Sequence, residues 1–160
     1  MQDLGIYPIA WCTYLISKIS GQLLFPKILS SVTKSKLAEV DETNTIILNY
    51  ESERIQAVVN ASMTYDTESG LRIHGTHGSI ALTGHWLCNP KKIELNVGGV
   101  VSTIDLSVQG FGYIHEADHV EECLSKGLTE SPLIGLEESL LNMKIMDTVR
   151  QQHGIVYPGD

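Results

Sequence analysis

The first regular pattern along the chain is helical. Ile9, Cys12, Ile16 and Ile19 recur three or four residues apart, which predicts a helix over residues 5 to 20 with one apolar stripe. Asp3 is placed to cap it, and Pro8 falls in the first turn, where its missing N–H is not needed. Tyr7, Trp11, Tyr14 and Lys18 fall on a second, aromatic stripe. The period then changes to two. Ile28 to Lys34, Thr45 to Tyr50 and Arg54 to Met63 read as strands, and in the third Ile55, Ala57, Val59, Ala61 and Met63 alternate with mostly polar neighbours. Residues 75 to 78, Gly-Thr-His-Gly, read as a turn between Leu71–His74 and Ser79–Leu82. In "IELNVGGVVSTIDL", Gly98-Gly99 separates two alternating runs and predicts a hairpin.

The helical period returns twice. One helix is expected over residues 113 to 126, stopped by Gly127, with Tyr113, Ala117, Val120 and Leu124 as its buried stripe. Another is expected over 135 to 152, ending before Gly154, with Glu137 and Glu138 in its first turn and Arg150 in its last, as the helix dipole favours. A helix, a run of strands and two helices predict an α+β fold with an open, mainly antiparallel sheet and helices packed on one face. At 160 residues the chain suits a single domain.

Composition narrows the function only by exclusion. A formal charge of −8, from 19 acidic and 11 basic residues, supplies no basic stripe for phosphates and argues against nucleic acid. Cys12, Cys88 and Cys123 are widely spaced and odd in number, so they read as reduced thiols of a cytoplasmic protein. No basic start marks a signal peptide, and no apolar run is long enough to span a membrane.

One motif invites a chemical reading. His115-Glu116-Ala117-Asp118-His119 spells H-E-x-x-H, the helix of a zinc hydrolase, with two histidines four residues apart and a glutamate as base. Glu137 or Glu138 is a conceivable third ligand. Against it, both histidines point away from the predicted stripe, and Asp118, Glu121 and Glu122 describe a solvated face, so no metal site is expected. His74, His77 and His85 near turns match no standard ligand spacing. No G-x-S-x-G, G-x-G-x-x-G or phosphate-loop motif is present, so no cofactor-binding residues are assigned.

"DLGIYPIAW", "GTHGSIAL" and "EADHVEECLSKGLTESP", in that order, carry a family likeness. The chain resembles the C-terminal domain of the glucose–fructose oxidoreductase, inositol dehydrogenase and rhizopine-catabolism (Gfo/Idh/MocA) family, nearest to its dihydrodiol and D-xylose dehydrogenase branch. The resemblance implies that residues 1–160 are a substrate-binding and oligomerisation domain, inactive alone. It implies further that a Rossmann domain, missing from these residues, supplies NAD or NADP. It implies catalytic roles for Tyr7, which exchanges a proton with a sugar or diol substrate, and for Asp3, which orients the site. Trp86 is implied to line the substrate pocket, and the sheet to form a homodimer through "TIILNY" and "IQAVVNASM". The family's E-K-P lysine, which would help Tyr7 give up its proton, is not in this sequence. The alternatives are a non-catalytic interaction module and the zinc hydrolase.

Overall fold

The computed structural model describes residues 1–38, 40–66, 69–83, 90–106 and 112–157. Helix α1 (Ile6–Ser20) is followed by strands β1 (Lys27–Lys34), β2 (Asp41–Tyr50), β3 (Ile55–Ser62), β4 (Gly70–Gly75), β5 (Gly78–Thr83), β6 (Lys92–Val97) and β7 (Val100–Asp105). Helices α2 (Tyr113–Ser125) and α3 (Leu136–His153) close the chain. The fold is α+β with antiparallel pairing throughout the described ladders, as the patterning predicts. Those ladders form two sheets, β1-β2-β3 and β4-β5-β6-β7. The chain divides accordingly into two compact units, residues 1–67 with 132–160, and residues 68–131.

The first unit holds the core. Alternation in β2 sends Ile46, Leu48 and Tyr50 inward, opposite Val59, Ala57 and Ile55 of β3, while Leu48 also pairs with Ile28 of β1. α1 and α3 pack against each other on this face, contributing Ile9, Cys12 and Ile16 from one and Ile145, Met146 and Val149 from the other. Ile9, Ile46, Leu48 and Ile145 are fully buried, each contributing roughly 1.5–3 kcal/mol. Each helix also carries one buried polar residue inward. Thr13 donates to Asn142 Oδ1 at 2.7 Å. Elsewhere in the unit, the buried Asp41 accepts from Asn44 at 3.0 Å and from the Tyr157 hydroxyl at 3.0 Å. Tyr157 lies under the Arg150 guanidinium, 4.5 Å from its ring centre.

The second unit is a four-stranded meander with α2. Its last hairpin turns at Gly98 (φ +58°) and Gly99 (φ +85°), the paired left-handed conformation that a two-residue turn between twisted strands requires. Gly78 is needed for another reason, because a Cβ there would stand 2.0 Å from the Asn96 carbonyl oxygen on the neighbouring strand.

Several local expectations change. Asp3 does not cap α1. A turn closed by the Gly5 N–H on the Met1 carbonyl precedes the helix, Gly5 is the N-cap, and Asp3 is exposed. Ile19 is exposed in the last turn of α1, and Met63 is exposed beyond β3. The expected stripe of α2 is not buried either. Tyr113, Ala117, Val120 and Leu124 are exposed, and the half-buried residues of that helix are His119 and Cys123. The physical reason is the following turn, which folds back so that Leu128 N–H bonds the Cys123 carbonyl and Ser131 reaches His119.

Candidate functional site

The start of α1 presents the residues that the sequence marks for chemistry. Gly5 allows the turn before the helix to close tightly, since a Cβ there would sit 2.8 Å from the Met1 carbonyl oxygen. Asp3 in that turn and Tyr7 in the first helical turn are both exposed. Tyr7 is 53% exposed, and no hydrogen bond to its hydroxyl is found among the described residues. A phenol so placed is available to a substrate or to another protein surface, whereas a packing tyrosine would be covered. Further along the same stripe, Trp11 and Tyr14 are half-buried, and Lys18 sits 5.0 Å from the Tyr14 ring centre. They support the helix and leave Tyr7 as its open aromatic.

Trp86, with His85 and Cys88, lies outside the described residues. Gly98 and Gly99 occupy a strand–strand turn, Gly21, Gly127 and Gly154 follow helix C-termini, and Gly112 (φ +85°) is the N-cap of α2, the helix that follows β7.

The H-E-x-x-H segment does lie on a helix, α2, with His115 exposed and His119 half-buried. Among the described residues no group of three or more His, Cys, Asp or Glu side chains converges as a metal site. His119 Nε2 meets Ser131 Oγ at 2.8 Å and Cys123 Sγ at 3.5 Å. Sequence reasoning missed this cluster because it took the wrong face of α2 as the inner one. The i, i+4 spacing of His119 and Cys123 was the available clue. It missed the Thr13–Asn142 pair too, although both residues stand at inward positions of otherwise apolar stripes.

The strands proposed for dimerisation use half of their apolar residues internally. "TIILNY" buries Ile46, Leu48 and Tyr50, and its sheet keeps on the outer face only the cross-strand row Leu29, Ile47 and Val58 among polar neighbours. The β4–β7 sheet is more one-sided. Its register aligns Leu71, Leu82, Ile93 and Ile104 in one row and Ile73, Ile80 and Leu95 in the next, on a single face. Among the described residues no helix is long and apolar enough to cross a membrane.

No family model matches the chain. Individual relatives do. The chain is 33% identical over 167 aligned residues to trans-1,2-dihydrobenzene-1,2-diol dehydrogenase of Sus scrofa, covering 99% of this chain and 47% of the relative. It is 32% identical to the Homo sapiens protein of that name, with the same coverage of each. Among solved structures it is similar to aldose-aldose oxidoreductase of Caulobacter crescentus complexed with glycerol, at a TM-score of 0.72 and 15% identity over 93% of this chain and 43% of that one. It is also similar to KijD10, a 3-ketoreductase of Actinomadura kijaniata in complex with NADP, at 0.70 and 14% over 93% and 46%. At those identities the structures share the fold alone. The chain is related along nearly its whole length to the dihydrodiol dehydrogenases, and it spans about half the length of the relatives it matches.

Proposed function

We propose that these residues form the substrate-binding and dimerisation part of an NAD(P)-dependent oxidoreductase acting on a sugar or diol. The observation that carries this reading is homology along the whole chain to half of a diol dehydrogenase. The cofactor, held by a dinucleotide-binding domain, supplies hydride transfer. This chain supplies the proton at the reacting oxygen. Tyr7 exchanges it through its exposed hydroxyl, and Asp3, one turn earlier, orients the site. Trp86 lines the pocket, and without the other domain the chain does not turn over. We place the protein in the cytoplasm.

The second copy in the dimer docks on an apolar sheet surface. The β4–β7 face leaves Val100 73% exposed and Ile104 55% exposed. Its reverse face carries Arg72, His74, Lys92, Glu94 and Asp105. A sheet with one aliphatic and one charged face buries the first against a matching surface, and a twofold axis lets an identical face provide it.

The test joins the chain to the part of the pig relative that it does not span and assays NAD(P) reduction with diols and aldoses. Turnover is expected, and the Tyr7→Phe variant should lose about 10²-fold or more of it. Phe keeps the ring and the fold, so normal turnover in Tyr7→Phe would end the assigned role. A fusion that folds yet reduces cofactor with none of these substrates would end the functional reading.

A further inference from the structure

The second histidine of the HEADH segment faces a thiol. His119 and Cys123 lie one turn apart on α2, and Cys123 Sγ is 3.5 Å from His119 Nε2. The Ser131 hydroxyl approaches the same nitrogen at 2.8 Å. On the other side of the ring, Nδ1 faces the Glu122 carboxylate at 3.9 Å. In the tautomer with its proton on Nδ1, toward that carboxylate, Nε2 is the acceptor toward sulfur and hydroxyl. A nucleophilic atom, a base within reach and a third group behind the base make the pattern of an activated nucleophile.

The surroundings supply charge of both signs. Lys126 bonds Glu122, and its ammonium is held above the usual lysine range first by that hydrogen bond and charge, and also by the Cys123 sulfur. Cys123 stands in the last turn of α2, where the helix dipole opposes a thiolate, so His119 and Lys126 must offset it. Both His119 and Cys123 are half-buried, within reach of a small molecule. Cys12 differs in every respect. It is sealed in the core between the helices, and burial pushes its thiol up to about 11.

We propose that Cys123 is a modification site, whose thiol is activated by His119 for exchange with small-molecule disulfides such as oxidised glutathione. The Cys123 S–H gives its proton to His119 Nε2, and the sulfur attacks one sulfur of the disulfide. The reagent's S–S bond breaks as a new one forms to Cys123. The released thiolate takes the proton back from His119. Cys123 is thereby oxidised to a mixed disulfide, and half of the reagent is reduced to a thiol. This inference rests on the α2 cluster alone and stands apart from the oxidoreductase reading.

The experiment exposes the purified chain to oxidised glutathione, natively and in urea, and follows each cysteine by peptide mass spectrometry. Cys123 should react at least about tenfold faster in the native state than in urea, because only the folded chain holds the base in place. Cys12 should behave in the opposite way. His119→Gln should bring the native Cys123 rate down to the urea rate while Cys12 stays protected. A native Cys123 rate no higher than that in urea overturns the proposal, as does a His119→Gln rate equal to that of the parent. Should His119→Gln expose Cys12, and so report unfolding, Ser131→Ala decides. With the competing hydroxyl gone, Cys123 should react as fast as in the parent or faster, and a fall to the urea rate overturns the proposal.

Discussion

The buried pair Thr13–Asn142 permits a quantitative test of how α1 is fixed to α3. The Thr13 hydroxyl donates to Asn142 Oδ1 at 2.7 Å, and it has a second acceptor, the Ala10 carbonyl, at 3.1 Å. The two partners are therefore not equivalent. Replacing Asn142 by Leu leaves Thr13 a carbonyl to bond, and the substitution nearly preserves volume, so the expected loss is below about 1 kcal/mol. Replacing Thr13 by Val keeps the shape but takes the donor from Asn142 Oδ1, whose residue is only 6% exposed. An orphaned buried acceptor costs about 1–3 kcal/mol. The double variant Thr13→Val with Asn142→Leu removes both polar groups together and should be close to the parent in stability. Urea unfolding measures all four proteins, with Trp11 fluorescence in a Trp86→Phe background reporting on α1. At a slope near 1.5 kcal/mol per molar, Thr13→Val should lower the midpoint by about 1 M, and the double variant should recover most of it. If the double variant falls as far as the sum of the singles, the asymmetric reasoning is wrong and the pair is ordinary packing.

Two further outcomes follow from the structure. Burial pushes the Tyr50 hydroxyl up from 10.0 to about 12, with the charge of Cys12 as a smaller cause, and burial alone raises Cys12 from 9.0 to about 11. The unfolded chain loses these protons first, so the stability they contribute is complete below about pH 9 and falls as pH rises through 9 to 12. The Tyr50 hydroxyl has no hydrogen-bond partner among the described residues, so Tyr50→Phe should be no less stable at pH 8 and should lose less stability at pH 11 in urea unfolding. On the β4–β7 face, Val100→Lys with Ile104→Lys should convert a dimer to a monomer in analytical ultracentrifugation without changing the circular dichroism. An unchanged sedimentation coefficient would remove that face from the interface.

The fold was largely legible because its periods are strong. Alternation in β2 and β3, the double glycine before β7 and the glycines after α2 and α3 each match one local rule, and each element lies within a few residues of its predicted place. What stayed hidden depends on contacts distant in sequence. Nothing local says that the turn after α2 folds back on His119 rather than away from it, and that choice decides which face of an evenly mixed helix is covered. The capping error at Asp3 has a related cause. A capping side chain is recognised by type, but the turn closed by Gly5 moves the helix start two residues beyond its reach. As for the candidate site, Tyr7 is singled out by resemblance alone, and the structure adds that it is exposed.

The two units differ in how fully they use their apolar residues, and that difference bears on the proposed dimer. In the first unit, helices and sheet enclose Ile9, Ile46, Leu48, Val59, Ile145 and Val149 almost completely. In residues 68–131 the buried apolar side chains among the described residues are Ala81 and Leu82 alone. Residues 68–131 therefore have little closed core of their own among the described residues. Leu95, Val97, Val100 and Ile104 are the reserve, since their sheet position is fixed and their surface is still in contact with water. Covering them in the proposed dimer would stabilise the sheet, so dimerisation and the stability of the β4–β7 sheet are expected to be thermodynamically linked. With the proposed dimer on this face, the unfolding midpoint of this unit is expected to rise with protein concentration, while the Thr13–Asn142 unit is governed by its own closed core.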